Sequence, residues 1–362
     1  MQYSKVIFIC NYAANYGGNF LASLNKLSQK LSKQNIEVEY IFPISAQNKK
    51  WEINLDNYKV SYLDLDNDQE LINYFEDNLI SGSIIHTHFL VSKQLLKIKR
   101  MVDSKPNVRI IFQEHMDLDP QGSKLKNILR KISFRFIFRN MSFIGVSPSV
   151  YERLCSIYGR KHSYLVENAI SFNRLYKNGK NPFSIDSKKH LIIFGTDYKR
   201  KGTDIAVQAL QNSKYNFELE LDIITHNVEE AKKYIRQDNK TIPDNVKVLS
   251  TDNNVQDFYN NSLAFLSPSR HEAFGYAVVE SAYCGTQVVA SDVPGQDTLK
   301  KIPFIYWVKK ENVDQLTEAI DSIYEKSDSE KQKEARINKE FIMKNYSLDA
   351  WVDKIIDIYN KI

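Results

Sequence analysis

The feature of this sequence that most constrains its fold is a repeated alternation of short apolar runs with longer amphipathic stretches. The runs are rich in β-branched residues, and the stretch at 20–31 has the apolar spacing of a helix. Strands of this kind are buried on both faces, so helices have to cover them from both sides. The alternation therefore predicts an α/β fold with parallel sheets. The runs in the first half of the chain lie at 6–10, 38–42, 84–85, 110–112 and 143–146.

The length of 362 residues favours two domains over a single core. The polar segment 171–189 has no sustained period and predicts an interdomain linker. Beyond it the pattern restarts, with strands and one helix expected at 191–194, 204–211, 219–224 and 246–249. We therefore expect two doubly wound domains, 1–170 and 190–345, facing a cleft in which ligands bind at the carboxyl ends of the strands. An amphipathic helix at 346–362 closes the chain.

Composition narrows the class of protein without identifying it. A net charge of +5, from 49 basic and 44 acidic residues, allows an anionic partner but does not require a nucleic acid. Cys10, Cys155 and Cys284 are widely spaced and form no Cys-x-x-Cys pair, which indicates buried thiols in a reducing compartment. The sequence has no run of 18 apolar residues and no apolar signal core. We therefore expect a cytoplasmic protein.

The most informative segment for function is 263–295, which reads LAFLSPSRHEAFGYAVVESAYCGTQVVASDVPG. A strand at 263–266 is followed by a polar loop and then by a helix that Gly285 closes. Glu272 lies in the loop and Glu280 inside the helix, which at about 1.5 Å per helical residue puts them roughly 10 Å apart. That distance suits the two sugar ends of a nucleotide-sugar, with the diphosphate between them at the helix N-terminus.

This Glu-x7-Glu pattern resembles the motif of the retaining family 4 glycosyltransferases, which belong to group 1 and have the GT-B fold. The resemblance implies that Glu272 accepts hydrogen bonds from hydroxyls of the donor sugar and that Glu280 binds the ribose hydroxyls. It also implies that backbone amides meet sugar or phosphate around Ala273, Phe274, Gly275 and Tyr276. Glycines 275 and 295 would let the backbone approach the ligand closely. Two ordinary surface acids are the alternative, but they would not explain the apolar surroundings.

A basic loop, FGTDYKRKG at 194–202, opens the second domain. Its cations are well placed between a strand and a helix to stabilise a departing diphosphate. The resembled family has a Gly-Arg turn followed by a Lys-Gly pair, and Lys201-Gly202 matches the pair. Thr196 stands where the arginine is usual, so either Arg200 or Lys199 compensates or the leaving group is held less firmly. A solvated basic surface is the alternative.

The first domain offers weaker candidates. Gly17 and Gly18 follow the opening strand and could bring amide groups up to an anion or a sugar, or simply form a turn. His86 and His88 lie on one side of a strand, but no further ligand has recognisable spacing, so we do not expect zinc. His115 follows another strand, and similar enzymes carry a histidine near this point that contacts the donor sugar. A buried structural histidine is the rival interpretation.

Two Asp-x-Asp strings, at 64–66 and 117–119, could suggest a divalent metal, as in the other large glycosyltransferase fold. Neither string lies in the domain with the nucleotide motif. We therefore expect no cofactor and no metal, with the cations of the protein neutralising the diphosphate.

The segment 124–140 contains six basic residues and no acid. Its apolar residues have helical spacing, which is typical of a basic amphipathic helix on an anionic membrane surface. A helix that packs against the core and has a solvated rim is the alternative. The apolar residues with helical spacing are Leu125, Ile128, Leu129, Ile132 and Phe136.

The resemblance implies a retaining transfer of a hexose from a nucleoside-diphosphate sugar, such as a UDP-sugar, to an acceptor hydroxyl. A lipid-linked saccharide at the inner face of the cell membrane, in capsule or exopolysaccharide assembly, is the acceptor that the family suggests. The resemblance also implies that the closing helix crosses back to the first domain. A nucleotide-sugar epimerase of the same shape and a non-catalytic partner subunit are the alternatives, and Thr196 is the feature that favours the second. The donor base, the acceptor and the oligomeric state stay open.

Overall fold

The computed structural model describes residues 3–116, 124–175, 189–251 and 255–362, without the side chains of 53–54 and 124–130. The chain divides into two compact units. The first comprises Met1–Ala169 together with Leu348–Ile362, and the second is Ile170–Ser347. The C-terminal helix therefore returns to the first domain, as the family resemblance implied.

Strands β1 to β13 follow one another along the chain, and helices α1 to α12 lie between and after them. Strands β1 to β7 are Lys5–Cys10, Glu37–Pro43, Lys59–Leu63, Ser83–His88, Arg109–Glu114, Ser142–Gly145 and Ser163–Leu165. Strands β8 to β13 are His190–Phe194, Glu220–Thr225, Val246–Ser250, Ala264–Ser267, Gln287–Asp292 and Tyr306–Lys309. Helices α1 to α6 are Gly18–Ser32, Asp68–Asn78, Ser92–Val102, Lys124–Ile137, Pro148–Tyr158 and Thr203–Asn212. Helices α7 to α12 are Val228–Asn239, Val255–Asn260, Tyr276–Tyr283, Val313–Glu325, Asp328–Asn345 and Leu348–Lys361.

The first domain has, in its described part, a seven-stranded parallel sheet in the order β3-β2-β1-β4-β5-β6-β7. Alternate residues of β1 point to opposite faces, so Phe8 packs beneath α1 and α12 while Ile9 packs beneath α2, α3 and α5. Both faces are therefore buried, which explains why the strand sequence is apolar throughout. The strand order reverses between β1 and β4, and a doubly wound sheet binds ligands at the carboxyl ends of such strands.

The second domain repeats this plan with six described strands, all parallel, in the order β10-β9-β8-β11-β12-β13. Helices α6 and α10 cover one face, and α8, α9 and α11 cover the other. The order reverses between β8 and β11. The loops after these two strands carry the basic cluster and Glu272, so the fold brings both motifs to one edge of the sheet.

The strands that apolar runs predicted all form, with ends that differ from the prediction by at most three residues. The sequence did not predict the short strands β3, β7 and β13, because their sequences are brief and half-polar. The expected linker 171–189 is wrong at its start, because Phe172–Leu175 forms a 3₁₀ turn and Leu175 is buried in the second domain. Residues 176–188 of that linker lie outside the described residues.

The three cysteines are buried thiols, as their spacing indicated. Among the described helices, none combines the length and apolar character needed to cross a bilayer.

Candidate active site

The centre of the candidate site is a largely buried ion pair between Lys201 and Glu272 in the second domain. The ammonium Nζ lies 2.6 Å from Oε1 of the carboxylate, and the Ser269 hydroxyl donates to the same oxygen at 2.9 Å. Only 10% of the Glu272 side chain is exposed. Burial raises the pKa of this carboxyl, but Lys201, Arg200 and Ser269 outweigh burial and hold the pKa below its usual range. Glu272 is therefore ionised and pre-oriented.

Two close backbone approaches fix this loop. A Cβ at Gly295 would lie 1.6 Å from the carbonyl oxygen of Glu272, and one at Gly202 would lie 2.0 Å from that of Pro268. Only a residue without a Cβ fits at either position. We predicted from sequence that Gly295 approaches a ligand. The observed close approach is to the Glu272 peptide, so this glycine positions the carboxylate.

The cluster before α6 contains one cation near Glu272 besides Lys201. Arg200 Nη1 lies 3.8 Å from Glu272 Oε1 and donates to the carbonyl of His271 at 3.2 Å. Lys199 instead pairs with Asp204 at 3.1 Å and with Asp238 at 2.9 Å. Arg200 is also paired, with Asp197 at 2.8 Å. Of the two residues that could replace the usual arginine, Arg200 is the one that also lies near Glu272, and its contact with a donor stays a prediction.

Arg270 ties the two loops together. Its guanidinium donates to both oxygens of Asp204, at 2.9 and 3.0 Å, and to Glu311 at 2.7 Å. A bidentate pair of this kind fixes the orientation of the guanidinium in addition to neutralising its charge. The partners of Arg270 are 66 residues earlier and 41 residues later in the sequence. No pattern of residue spacing could have predicted these contacts of Arg270.

Thr196, which stands at the usual arginine position, lines a different space. A cavity of about 370 Å³ at the carboxyl ends of β8 and β9 is bounded by Thr196, Lys199, Asn227 and Tyr234, among others. Neither Glu272 nor the helix α9 borders it. The candidate role of Thr196 in donor binding stays a prediction.

Glu280 is buried on α9 and is held from two directions. The Tyr259 hydroxyl donates to Oε2 at 3.1 Å, and Arg174 Nη1 lies 3.3 Å from Oε1. Tyr259 is fully buried, while Arg174 comes from the 3₁₀ turn at the start of the expected linker. These contacts fix the orientation of a buried carboxylate, and binding of ribose hydroxyls by Glu280 stays a prediction.

The segment between the two glutamates begins helix α9. Gly275 is left-handed, with φ of +97°, and precedes the first helical residue, Tyr276. The Phe274 side chain is buried in the core, so only its backbone is available to a ligand. Ala273 is partly exposed next to Glu272. Binding of a donor by these four residues stays a prediction.

In the first domain, Gly17 and Gly18 lie at the start of α1, after the carboxyl end of β1. Gly18 has a φ of +59°, and a Cβ at Gly17 would lie 3.2 Å from that of Trp51. The Trp51 indole donates to the carbonyl of Ala14 at 2.9 Å and so fastens the preceding loop. The glycines thus form a tight helix start, and their contact with a sugar stays a prediction.

Three histidines come together at the carboxyl ends of β4 and β5. His88 Nδ1 lies 3.0 Å from His115 Nε2, and the rings of His86 and His88 have centroids 4.3 Å apart. The Tyr359 hydroxyl of α12 contacts His86 Nδ1 at 2.7 Å. Burial lowers the pKa of His86 and of His115 to about 3, so both are neutral at physiological pH.

Within the described residues, three metal-ligating side chains cluster at the opposite edge of the second sheet. His190, Glu220 and Asp222 meet at the amino ends of β8 and β9, where Lys247 also pairs with Glu220. Lys247 supplies one cation to a group that holds two carboxylates. In the first Asp-x-Asp string, the Asp64 carboxylate accepts a hydrogen bond from the backbone N–H of Asp66 at 2.9 Å, and the second string, 117–119, lies outside the described residues.

Helix α4 carries the basic segment. Phe138 is buried and Phe134 packs against the core, whereas Phe136 is 72% exposed and Ile132 is 53% exposed. Ile132 and Phe136 are one helical turn apart, so they form one apolar strip on the surface. The side chains of 124–130, which complete the predicted stripe, lie outside the described part of the chain.

Over residues 177–340, the sequence matches the model of the family described as glycosyl transferases group 1. The match lies within the second domain, which is the domain that carries the Glu-x7-Glu motif. No protein of curated function matches the chain.

Solved structures share the fold along nearly the whole chain. A glycosyltransferase from Rickettsia africae is 14% identical, with 99% of this chain and 98% of that chain covered and a TM-score of 0.80. The Anabaena protein HepE in complex with UDP-glucose is 14% identical, with 99% and 100% covered and a TM-score of 0.77. Sucrose-phosphate synthase from Thermosynechococcus elongatus is 15% identical, with 99% and 98% covered and a TM-score of 0.75. The predicted GT-B fold is therefore confirmed.

Proposed function

We propose that this chain, whose second domain matches the group 1 glycosyltransferases, transfers a hexose from a nucleoside-diphosphate sugar to an acceptor hydroxyl with retention. The observation that carries the proposal is the buried Lys201–Glu272 pair with Arg200 beside it, in the same domain as the buried carboxylate of Glu280. Cations and carboxylates at one edge of a doubly wound sheet suit a ligand that combines anionic phosphates with neutral diols.

The two loop cations supply the electrostatic part of the reaction. As the sugar leaves, negative charge develops on the diphosphate, and Lys201 and Arg200 stabilise it. Because Glu272 already orients Lys201, little reorganisation is needed when the charge appears. Glu272 itself accepts hydrogen bonds from sugar hydroxyls through the lone pairs that Lys201 and Ser269 leave open. These cations of the chain neutralise the leaving group, so we propose transfer without a metal.

Glu280 accepts hydrogen bonds from the ribose hydroxyls in this proposal. Tyr259 and Arg174 hold its carboxylate, so binding a diol costs little side-chain entropy. HepE, with the same fold, is known as a complex with UDP-glucose. We therefore propose a UDP-sugar as the first donor class to test. We also propose that His115, in the first domain, holds a hydroxyl of a sugar substrate.

A thermal-shift panel of nucleoside diphosphates and their sugars tests the donor site. A ligand at 100 times its dissociation constant stabilises its protein by about 2.7 kcal/mol, so one donor should raise the melting temperature by several degrees. Glu280→Gln should lose most of that shift, because it removes charged hydrogen bonds worth about 1.5–3 kcal/mol. Glu229→Gln, at an exposed pair with Lys232 on α7, should keep the shift and serves as the matched control.

A wild-type protein that none of the nucleotides stabilises would contradict the proposal, and so would an equal shift in Glu280→Gln. Incubation with the donor alone separates transfer from epimerisation, since an epimerase converts the donor sugar without an acceptor.

We further propose that the acceptor is a lipid-linked saccharide in cell-surface polysaccharide assembly. In this proposal the enzyme is cytoplasmic and contacts the inner face of the membrane. The exposed strip of Ile132 and Phe136, with Arg135 and Arg139 exposed nearby, supports contact with anionic lipid. Phe136→Ser should weaken flotation with vesicles that contain phosphatidylglycerol by several-fold. Phe217→Ser removes a fully exposed but isolated aromatic of the second domain and should leave flotation unchanged. Equal flotation with purely zwitterionic vesicles would argue against this proposal.

A further inference from the structure

His88 and His115 form a hydrogen-bonded pair that uses one ring nitrogen of each histidine. His88 is the last residue of β4 and is fully buried, while His115 directly follows β5 and is partly exposed. The two strands are hydrogen-bonded neighbours, so their carboxyl ends bring the rings together. His88 Nδ1 and His115 Nε2 are 3.0 Å apart, so one nitrogen donates to the other. The remaining ring nitrogen of His115, Nδ1, is then the one available for a substrate.

Two aromatic side chains complete the cage around His115. The Phe89 ring stacks on it with a centroid distance of 4.4 Å, and Phe20 meets it edge-on at 5.3 Å. Phe89 has a φ of +58°, which is unfavourable for a bulky residue. Such backbone strain persists only where the surroundings enforce it, and it is concentrated at functional sites. Three contacts therefore restrict the His115 ring: Phe89 stacks on one face, Phe20 packs edge-on, and His88 binds one ring nitrogen.

The surroundings of His88 decide which nitrogen carries the proton. Its Nε2 is buried and has no hydrogen-bond partner among the described residues. If His88 Nδ1 accepted the bond, Nε2 would be a buried N–H without a partner, and orphaned buried donors are rarer than orphaned acceptors. His88 Nδ1–H is therefore the donor and His115 Nε2 the acceptor. Because burial lowers both pKa values, neither ring gains a second proton at neutral pH.

We propose that His88 is a positioning residue that holds His115 in its Nδ1–H tautomer, so that His115 offers an N–H donor to a sugar hydroxyl oxygen. This inference rests on the proposed function for its substrate. The tautomer itself rests on the contacts of the two rings. The neutral ring acts as a hydrogen-bond donor that orients a hydroxyl, with no proton transferred and no bond broken.

The experiment is nitrogen NMR of the full chain carrying ¹⁵N-labelled histidine at pH 7, with His115→Asn used to assign the His115 signals. In the wild type, His115 should show a protonated Nδ1 and a bare Nε2. The opposite pattern would overturn the proposal.

Two amide variants separate positioning from simple packing. His88→Asn keeps an amide group on Cγ, where Nδ1 was, and should preserve the Nδ1–H signature of His115. His88→Gln moves the amide one bond outward to the position of Nε2, and should give a mixture of tautomers. Asn is one methylene shorter than Gln and leaves the larger gap at the fully buried position 88, so a packing effect alone would be stronger in His88→Asn. An unchanged His115 spectrum in His88→Gln would refute the role of His88.

Turnover of a nucleotide-sugar gives the second readout. His88→Gln should lower kcat by about tenfold or more, as small misplacements of a catalytic group do, while His88→Asn retains most of the activity. The failure of the proposed function would look different, because the wild type would then turn over no donor although the spectra still reported the tautomer. Equal kcat in wild type and His88→Gln, with a donor turned over, would reject the positioning role.

Discussion

Lys201→Ala is expected to lower kcat/KM by about 10²–10³-fold, the effect usual for removing one preorganised group that stabilises developing negative charge. Lys201 is the cation in closest contact with Glu272, at 2.6 Å, and Arg200 is 1.2 Å farther from the same oxygen. The variant also leaves the mostly buried Glu272 carboxylate without its main partner. Removing one member of a buried pair costs about 3–5 kcal/mol, and the partial exposure here reduces that figure.

The matched control for this prediction is Lys199→Ala, two residues earlier in the same loop. The Lys199 ammonium is held by Asp204 and Asp238, so its loss should reduce stability slightly and leave kcat/KM within a few-fold. Initial rates with varied donor, together with melting temperatures, distinguish the two variants. Similar losses of activity in both would mean that general positive charge, and not the position of Lys201, matters to the reaction.

Gly295→Ala is expected to destabilise the second domain by about 3 kcal/mol, the upper end of the usual cost of overpacking. The new Cβ would lie 1.6 Å from the Glu272 carbonyl oxygen and 2.3 Å from its carbon, so one of the two loops has to move. Because the Glu272 loop carries the carboxylate, the variant should lose donor binding even at temperatures where it stays folded. Thermal unfolding and the donor-induced shift measure the two effects separately.

Gly17→Ala provides the comparison for stability. Gly17 has an ordinary helical φ of −72°, and the nearest atom to a new Cβ is 3.2 Å away, so small adjustments can accommodate it. Its melting temperature should fall far less than that of Gly295→Ala. A normal melting temperature and a normal donor shift in Gly295→Ala would contradict the view that this glycine positions Glu272.

By itself the sequence determined the architecture and the position of the main motifs. Strands buried on both faces have to be apolar along their whole length, and this local signal predicted most of the sheet. The pair Glu272 and Glu280, separated along one loop and one helix, is also a local pattern. Glu280 is buried and Glu272 is largely buried in its ion pair with Lys201, and their binding of a nucleotide-sugar stays a prediction.

Only the tertiary structure decided which side chains serve these motifs. Arg174 looked like part of a linker, yet its guanidinium lies 3.3 Å from Glu280, 106 residues away. Lys199 and Arg200 are neighbours in sequence, and only their contacts with distant carboxylates separate their roles. His88 and His115 likewise meet because β4 pairs with β5. Periodicity reports which face of an element is buried, whereas contacts between distant residues depend on how strands are ordered and where their ends converge, and no local pattern encodes that.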